Sequence, residues 1–272
     1  MEPVTEADSR HVVAARPYPV PPPVGPPVAW TSPGAVPDGS AVPLLTGPHT
    51  PARRLRFALV NACTIASLVL GMSAIFLAFG GHVRVAALAL VGCVVFDGLD
   101  GGLARKLGVS TPFGAQMDSL ADMCSFGIAT PVVAYIWLAG DAPTALVGSS
   151  CALVAVCAAL RLARFNVSPK NGNYFSGVPT TIAAAITALS VVLSPVPGPW
   201  PVLLVGALAL LMVSTFPYVK LGRVLRLPAW VWIVPTAGAM IDVPGTFTLA
   251  VTLYLASGPI LWLRQRGAVP AL

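Results

Sequence analysis

The sequence predicts an all-α fold, a polytopic membrane helix bundle of about eight transmembrane helices. Three observations predict it. Of 272 residues, 56% are hydrophobic and only 10% charged, with a mean hydropathy of +0.81; a soluble domain carries about 25% charged residues. So much apolar surface exceeds what one globular core hides, which makes lipid the solvent for most of it. Apolar stretches then recur from Phe57 onward with short breaks, and the basic residues gather at alternate breaks.

The first 52 residues stand apart, holding 13 of the 28 prolines, among them Pro21, Pro22, Pro23, Pro26 and Pro27. Proline fixes φ and removes a backbone donor, so residues 1–52 are expected to form a disordered or polyproline-II cytoplasmic tail. Their longest apolar run is too short and broken for a signal peptide. Residues 53–272 are expected to form the membrane-embedded domain. Its apolar stretches are roughly Phe57–Gly80, Val83–Leu107, Phe113–Leu138, Ala142–Val167, Phe175–Leu193, Pro199–Tyr218, Ala229–Ile241 and Val243–Leu263. Most reach the roughly 20 residues a spanning helix needs; the seventh is short and contains Pro235. Cys63, Cys93, Cys124, Cys151 and Cys157 all fall in apolar stretches without zinc-ligand spacing. They read as small buried hydrophobes with no disulfide framework.

Arg53, Arg54 and Arg56 precede the first stretch, and Arg105 and Lys106 close the second. Arg161, Arg164 and Lys170 close the fourth, Lys220, Arg223 and Arg226 follow the sixth, and Arg264 and Arg266 follow the eighth. With eight spans, all of these and the tail's Arg10 and Arg16 share one side: 15 of 16 basic residues, Arg84 excepted. By the positive-inside rule that side is cytoplasmic. The protein is expected in the cytoplasmic membrane, with both termini and the site described next facing the cytoplasm. The net charge of +6 then reflects topology and attraction to membrane lipids, not nucleic-acid binding.

After the tail there are six aspartates and no glutamate. Asp141 and Asp242 fall in expected outer loops. Asp97, Asp100, Asp118 and Asp122 fall within spans, where a carboxylate costs about 2.5–3.5 kcal/mol at a helix centre. Asp97 and Asp100 are three apart, and Asp118 and Asp122 four apart, so each pair shares a helix face. At 1.5 Å rise per residue, Asp97 and Asp100 lie about 12 and 8 Å from the inner end of the second stretch. Thr111 is a candidate N-cap for the third, with Pro112 at its first position; Asp118 and Asp122 are then about 9 and 15 Å in. The pairs meet at one depth. A divalent cation offsets their repulsion, and oxygen ligands at this density suit Mg²⁺ or Mn²⁺ over zinc. Gly98, Gly101, Gly102 and Gly114 lie beside the acids, serving helix packing or ligand access.

The segment reads Asp97-x2-Asp100-Gly101-x2-Ala104-Arg105-x8-Gly114-x3-Asp118-x3-Asp122. It resembles the complete signature of the CDP-alcohol phosphatidyltransferases. Asn61 and Thr64 are similar to the Asn-x-x-Thr that opens many of these enzymes, with Val60 in place of the usual proline. The resemblance implies a nucleotide-linked lipid whose pyrophosphate sits on two metal ions held by Asp97, Asp100, Asp118 and Asp122. An alcohol attacks the lipid-bearing phosphorus, and CMP leaves. It further implies Asp122 as general base. Asn61, Thr64, Gly101, Ala104, Arg105 and Gly114 are implied around nucleotide and lipid, and a homodimer as the assembly.

Three features resemble the serine-using branch, the phosphatidylserine synthases: Asp118 to Ala129 read as one run, Arg161-Leu162-Ala163-Arg164-Phe165-Asn166, and Phe175-Ser176-Gly177-Val178-Pro179. Thr130 and Thr181 stand where that branch often has proline. L-Serine is therefore the expected acceptor and CDP-diacylglycerol the donor. Arg161 and Arg164 are candidates to clamp the serine carboxylate, and Asn166 to accept from its ammonium. Glycerol 3-phosphate, inositol and inositol phosphate are the alternative acceptors, since phosphates also draw basic residues. A divalent-ion transporter is the alternative of another class, because intramembrane aspartates mark ion pathways. Clustering of all four acids near one face, with none deeper, argues against it.

Overall fold

A computed structural model of the chain describes residues 50–167, 174–193, 199–219 and 233–267. The expected tail up to residue 49 lies outside these, as do Lys170, Lys220, Arg223, Arg226 and residues 229–232 of the seventh stretch.

Helix α1, Pro51–Phe79, starts where Thr50 accepts the Arg53 N–H at 3.3 Å and Pro51 fills the first turn. A missing N–H costs nothing there. Its buried residues are Val60, Thr64, Ser67, Gly71, Ala74 and Ala78, a stripe of mostly small or polar side chains at steps of four and three. Large apolar residues point outward instead: Ile65 is 52%, Val69 57% and Phe76 69% exposed. Small residues inside and large ones outside is the pattern of a helix solvated by lipid. Helix α2, Val83–Leu107, packs along α1. The Ser67 hydroxyl donates to the Cys93 carbonyl at 3.4 Å, and the Cys93 thiol donates to the Ser67 carbonyl at 3.2 Å. Gly108 ends α2 in the left-handed conformation, φ 63°, with Arg105 and Lys106 in the last turn against the negative helix end.

Helix α3, Pro112–Asp122, begins as the sequence predicts: Thr111 accepts the Gly114 N–H at 3.0 Å. The third apolar stretch is not one α-helix, however. A π-helical turn, Met123–Ala129, separates α3 from α4, Thr130–Leu138. Pro131 supplies a reason. It offers no N–H to the carbonyl of Gly127, and its ring crowds that carbonyl in regular α geometry. The Thr130 hydroxyl instead donates to the Ser125 carbonyl at 3.0 Å, and the Ser125 hydroxyl donates to the Ser67 carbonyl of α1 at 3.2 Å. The wide turn follows directly on Asp122 and so sets the phase between that residue and the rest of the span.

Helix α5, Thr144–Val167, buries Cys151, Val154, Cys157 and Ala158 in one core cluster with Val202, Val205, Leu208 and Ala209. All five cysteines are free. The fifth and sixth stretches are shorter helices than the sequence predicts: α6 is Thr180–Leu193 and α7 is Pro199–Val213. Tyr174–Ser176 forms a strand, β1, paired antiparallel with β2, Pro217–Val219, so that Phe175 faces Tyr218. Gly177 makes the break. It has φ +79° and donates to the Phe216 carbonyl at 2.9 Å, while Val178 donates to the Leu211 carbonyl at 3.0 Å. Pro179 then bars helix from running further back.

A methyl group at Gly177 would collide with the carbonyl oxygen of Met212. Gly177→Ala therefore meets both an unfavourable φ and a backbone clash. We expect it to lower stability by about 2 kcal/mol or more, seen as a fall in the thermal unfolding midpoint in detergent. An unchanged midpoint would contradict this account of the turn.

Ile233–Ile241 forms α8, with Pro235 in its first turn, where proline is tolerated. Asp242 accepts the Gly245 N–H at 3.1 Å and so caps α9, Val243–Gly267. Among the described residues, four segments are long and apolar enough to cross a membrane: Pro51–Phe79, Pro112–Leu138, Thr144–Val167 and Val243–Arg264. Helices α6 and α7 are shorter, and α2 carries Asp97, Asp100, Arg105 and Lys106 within its 25 residues. Apart from the β pairing and short connections, the described residues are helical, as in an integral membrane protein.

Candidate active site

The acids meet where α1, α2 and α3 converge. Asp97, Asp100 and Asp118 each present one carboxylate oxygen, all within 4.8 Å of one another. Asp100 is 3% exposed and its Oδ2 accepts the Thr64 hydroxyl of α1 at 2.8 Å. Asp97 Oδ2 accepts the Thr181 hydroxyl of α6 at 3.2 Å. Two of the three carboxylates are thus aimed by threonines from other helices. The donor set, oxygen only, fits a hard divalent cation. Asp122, one turn beyond Asp118, lies outside this trio; its carboxyl sits at hydrogen-bonding range of Asp97.

Beside the trio opens a pocket of ≈ 350 Å³, within the size range of small-molecule sites. All six residues expected around nucleotide and lipid line it: Asn61 and Thr64 from α1, Gly101, Ala104 and Arg105 from α2, and Gly114 from α3. Asp100 and Asp118 form its acidic wall, and the Phe57 and Phe113 rings meet 6.3 Å apart between α1 and α3. The glycines differ in their surroundings. A methyl group on Gly114 would lie 3.3 Å from Thr111 Oγ1, and one on Gly101 3.5 Å from the Arg105 guanidinium. At Gly98 and Gly102 it would meet nothing within 4 Å among the described residues, so these two do not serve helix packing inside the described chain.

The three residues expected at the acceptor separate. Arg161 of α5 is half-buried, within electrostatic range of Asp122. Arg164, one turn on, is exposed. Asn166 is exposed and accepts the Ser119 hydroxyl of α3 at 3.1 Å. The contact of Thr181 with Asp97 has no signal in the sequence, where Thr181 stands out only as a departure from a proline. A partner 84 positions away leaves no local spacing to read.

The profile of a family described as CDP-alcohol phosphatidyltransferase matches residues 57–263. A CDP-diacylglycerol--serine O-phosphatidyltransferase of Helicobacter pylori is 36% identical over 135 residues, 49% of this chain and 56% of that protein. An archaetidylserine synthase of Methanothermobacter thermautotrophicus is 40% identical over 118 residues, 42% of this chain and 49% of that one. A CDP-diacylglycerol--serine O-phosphatidyltransferase of Methanocaldococcus jannaschii is 30% identical over 173 residues, 63% of this chain and 81% of that one. The chain thus spans about half the length of the first two relatives.

Proposed function

The chain belongs to the CDP-alcohol phosphatidyltransferase family, and from that premise we propose that it transfers a phosphatidyl group from CDP-diacylglycerol to the hydroxyl of L-serine, giving phosphatidylserine and CMP. The observation that carries the reading is the carboxylate trio opening onto a pocket lined by the six signature residues. Serine as acceptor is supported by the names of the relatives and by the cation beside Asp122.

Asp97, Asp100 and Asp118 would hold Mg²⁺ or Mn²⁺, two ions by family resemblance, with Asp122 as a further ligand; bound metal supplies neutralising charge at the leaving phosphate. The pocket residues hold the nucleotide end of the donor, and Arg105 anchors phosphate at its rim. Asp122 takes the proton of the serine hydroxyl as its oxygen bonds to phosphorus and the bond to the CMP oxygen breaks. Arg161 holds the serine carboxylate, and Arg164 and Asn166 lie at the rim of the acceptor side. Thr64 and Thr181 keep their carboxylates aimed.

The test is CMP release from CDP-diacylglycerol by purified protein, with serine, glycerol 3-phosphate, inositol and inositol phosphate offered in turn and the lipid product identified. We expect release to need both a divalent metal and serine. A product with another acceptor would overturn the serine assignment, and CMP release without metal would overturn the role of the trio. Thr181→Val should weaken Mn²⁺ binding by about ten-fold, the lower end of losses seen when support for metal ligands is removed. Thr181→Ser should restore it. Mn²⁺ titration followed by electron paramagnetic resonance reads this without turnover, and an unchanged affinity in Thr181→Val would discard the positioning role.

We further assign eight spans, cytoplasmic termini and site, and a homodimer. The charge distribution supports the orientation, and family resemblance the dimer. Asp141 is exposed between α4 and α5, so Asp141→Cys in a background without native cysteines should react with an impermeant maleimide added outside. Reaction only from the cytoplasmic side would reverse the topology. Asp242 is a poorer probe, because it caps α9.

A further inference from the structure

Two buried polar atoms are left over, one of them on a side chain in electrostatic range of Asp122. Among the described residues, neither Arg161 Nε nor the Tyr254 hydroxyl has a hydrogen-bond partner. They come from different helices, α5 and α9, and each lies within electrostatic range of the other, with Asp122 acting on Arg161 in turn. Orphaned buried donors are rare because leaving them unmade is costly.

Tyr254 is held firmly. Its ring lies against that of Tyr218, centroids 5.5 Å apart at 33°. Tyr218 is fully buried, donates its own hydroxyl to the Leu255 carbonyl at 3.1 Å, and packs so closely on Gly258 that no side chain fits there. Tyr218 therefore spends its hydroxyl on fixing α9, while the hydroxyl of Tyr254 stays unspent and points into the interior. A guanidinium Nε–H donates only, and a phenol donates readily. One ligand that satisfies both must offer acceptor oxygens, and the guanidinium charge favours an anionic one.

We propose that the Tyr254 hydroxyl and the Arg161 Nε–H together bind the carboxylate of the acceptor, making Tyr254 a specificity-determining residue from the last helix. The inference rests on the serine reading above. It gives the acceptor two ends: its hydroxyl at Asp122 and its carboxylate between α5 and α9. The same donors would also suit a phosphate of the lipid donor, and the experiment separates the two.

The experiment is steady-state kinetics of the purified full chain, wild type and Tyr254→Phe, with L-serine and CDP-diacylglycerol varied in turn. L-Alanine, which keeps the carboxylate and ammonium but lacks the hydroxyl, is added as an inhibitor competitive with serine. We expect Tyr254→Phe to raise the KM for serine and the inhibition constant of alanine together, by about ten-fold. The KM for CDP-diacylglycerol should move less than about two-fold. Loss of affinity for CDP-diacylglycerol with serine unaffected would assign the pair to lipid phosphate and overturn the proposal. Unchanged constants for serine and alanine would overturn it too. Should Tyr254→Phe unfold, alanine and its carboxamide are compared as inhibitors of the wild type, and equal inhibition by both rejects a carboxylate site. A wild type that makes no phosphatidylserine removes the serine reading itself; one that makes it while Tyr254→Phe keeps its constants removes only the role of Tyr254.

Discussion

Asp122→Asn is expected to lower turnover by about 10²–10⁴-fold, the range that positioned general bases contribute, while leaving donor binding largely intact. The asparagine keeps the shape of the side chain but accepts no proton near neutral pH. Asp122 stands outside the oxygen trio that Asp97, Asp100 and Asp118 form within 4.8 Å, and the pocket proposed for the nucleotide is lined by other residues. Its removal should therefore cost chemistry far more than binding, with only the smaller loss of metal affinity that a ligand outside the trio brings. Asp100→Asn is the contrast. That carboxylate is buried, tied to Thr64 and part of the trio, so its loss should raise the metal concentration for half-activation along with reducing rate. Single-turnover CMP release across a metal titration measures both. Near-normal turnover in Asp122→Asn with unchanged metal dependence would defeat the general-base assignment.

The acids were legible in the sequence because their spacing is local. Positions three and four apart on a helix share a face whatever the rest of the chain does, and Thr111-Pro112 announces the start of α3 by its own capping chemistry. The first four apolar stretches likewise match helical segments closely, since lipid-facing surface demands continuous apolar composition. What stayed hidden depends on contacts between distant segments. The β pairing joins residues 174–176 to 217–219, and nothing in either segment alone signals it. The π turn after Asp122 accompanies Pro131 and a Ser125 contact with Ser67 on α1. Thr181 looks like an ordinary helix-start threonine until α6 is seen to deliver it to Asp97. Tyr254 looks like one more aromatic in an apolar helix, because a membrane span does not reveal which of its faces is inward. The helical pattern predicts one shared face for Arg161 and Arg164. The packing of α5 half-buries the first and leaves the second exposed.

That separation makes the two arginines unequal in the next expected result. Arg161→Lys should raise the KM for serine by about 10–100-fold, and Arg164→Lys far less. A lysine ammonium is a point charge and cannot reproduce the planar donor fork that matches a carboxylate. Truncating one partner of a buried charge pair costs about 2–5 kcal/mol at interfaces; lysine keeps the charge, so its loss falls toward the lower end. A carboxylate contact exists in both the bound ground state and the transition state, so the change should enter KM more than kcat. Arg161 also lies in electrostatic range of Asp122, and some loss of kcat is expected through that proximity. Crossing Arg161→Lys with Tyr254→Phe supplies the decisive control. If both residues hold one carboxylate, the double variant should lose less than the product of the single losses, because side chains sharing a partner couple. Strict multiplication would mean that they touch different groups, and a larger loss for CDP-diacylglycerol than for serine in Arg161→Lys would make Arg161 a phosphate anchor.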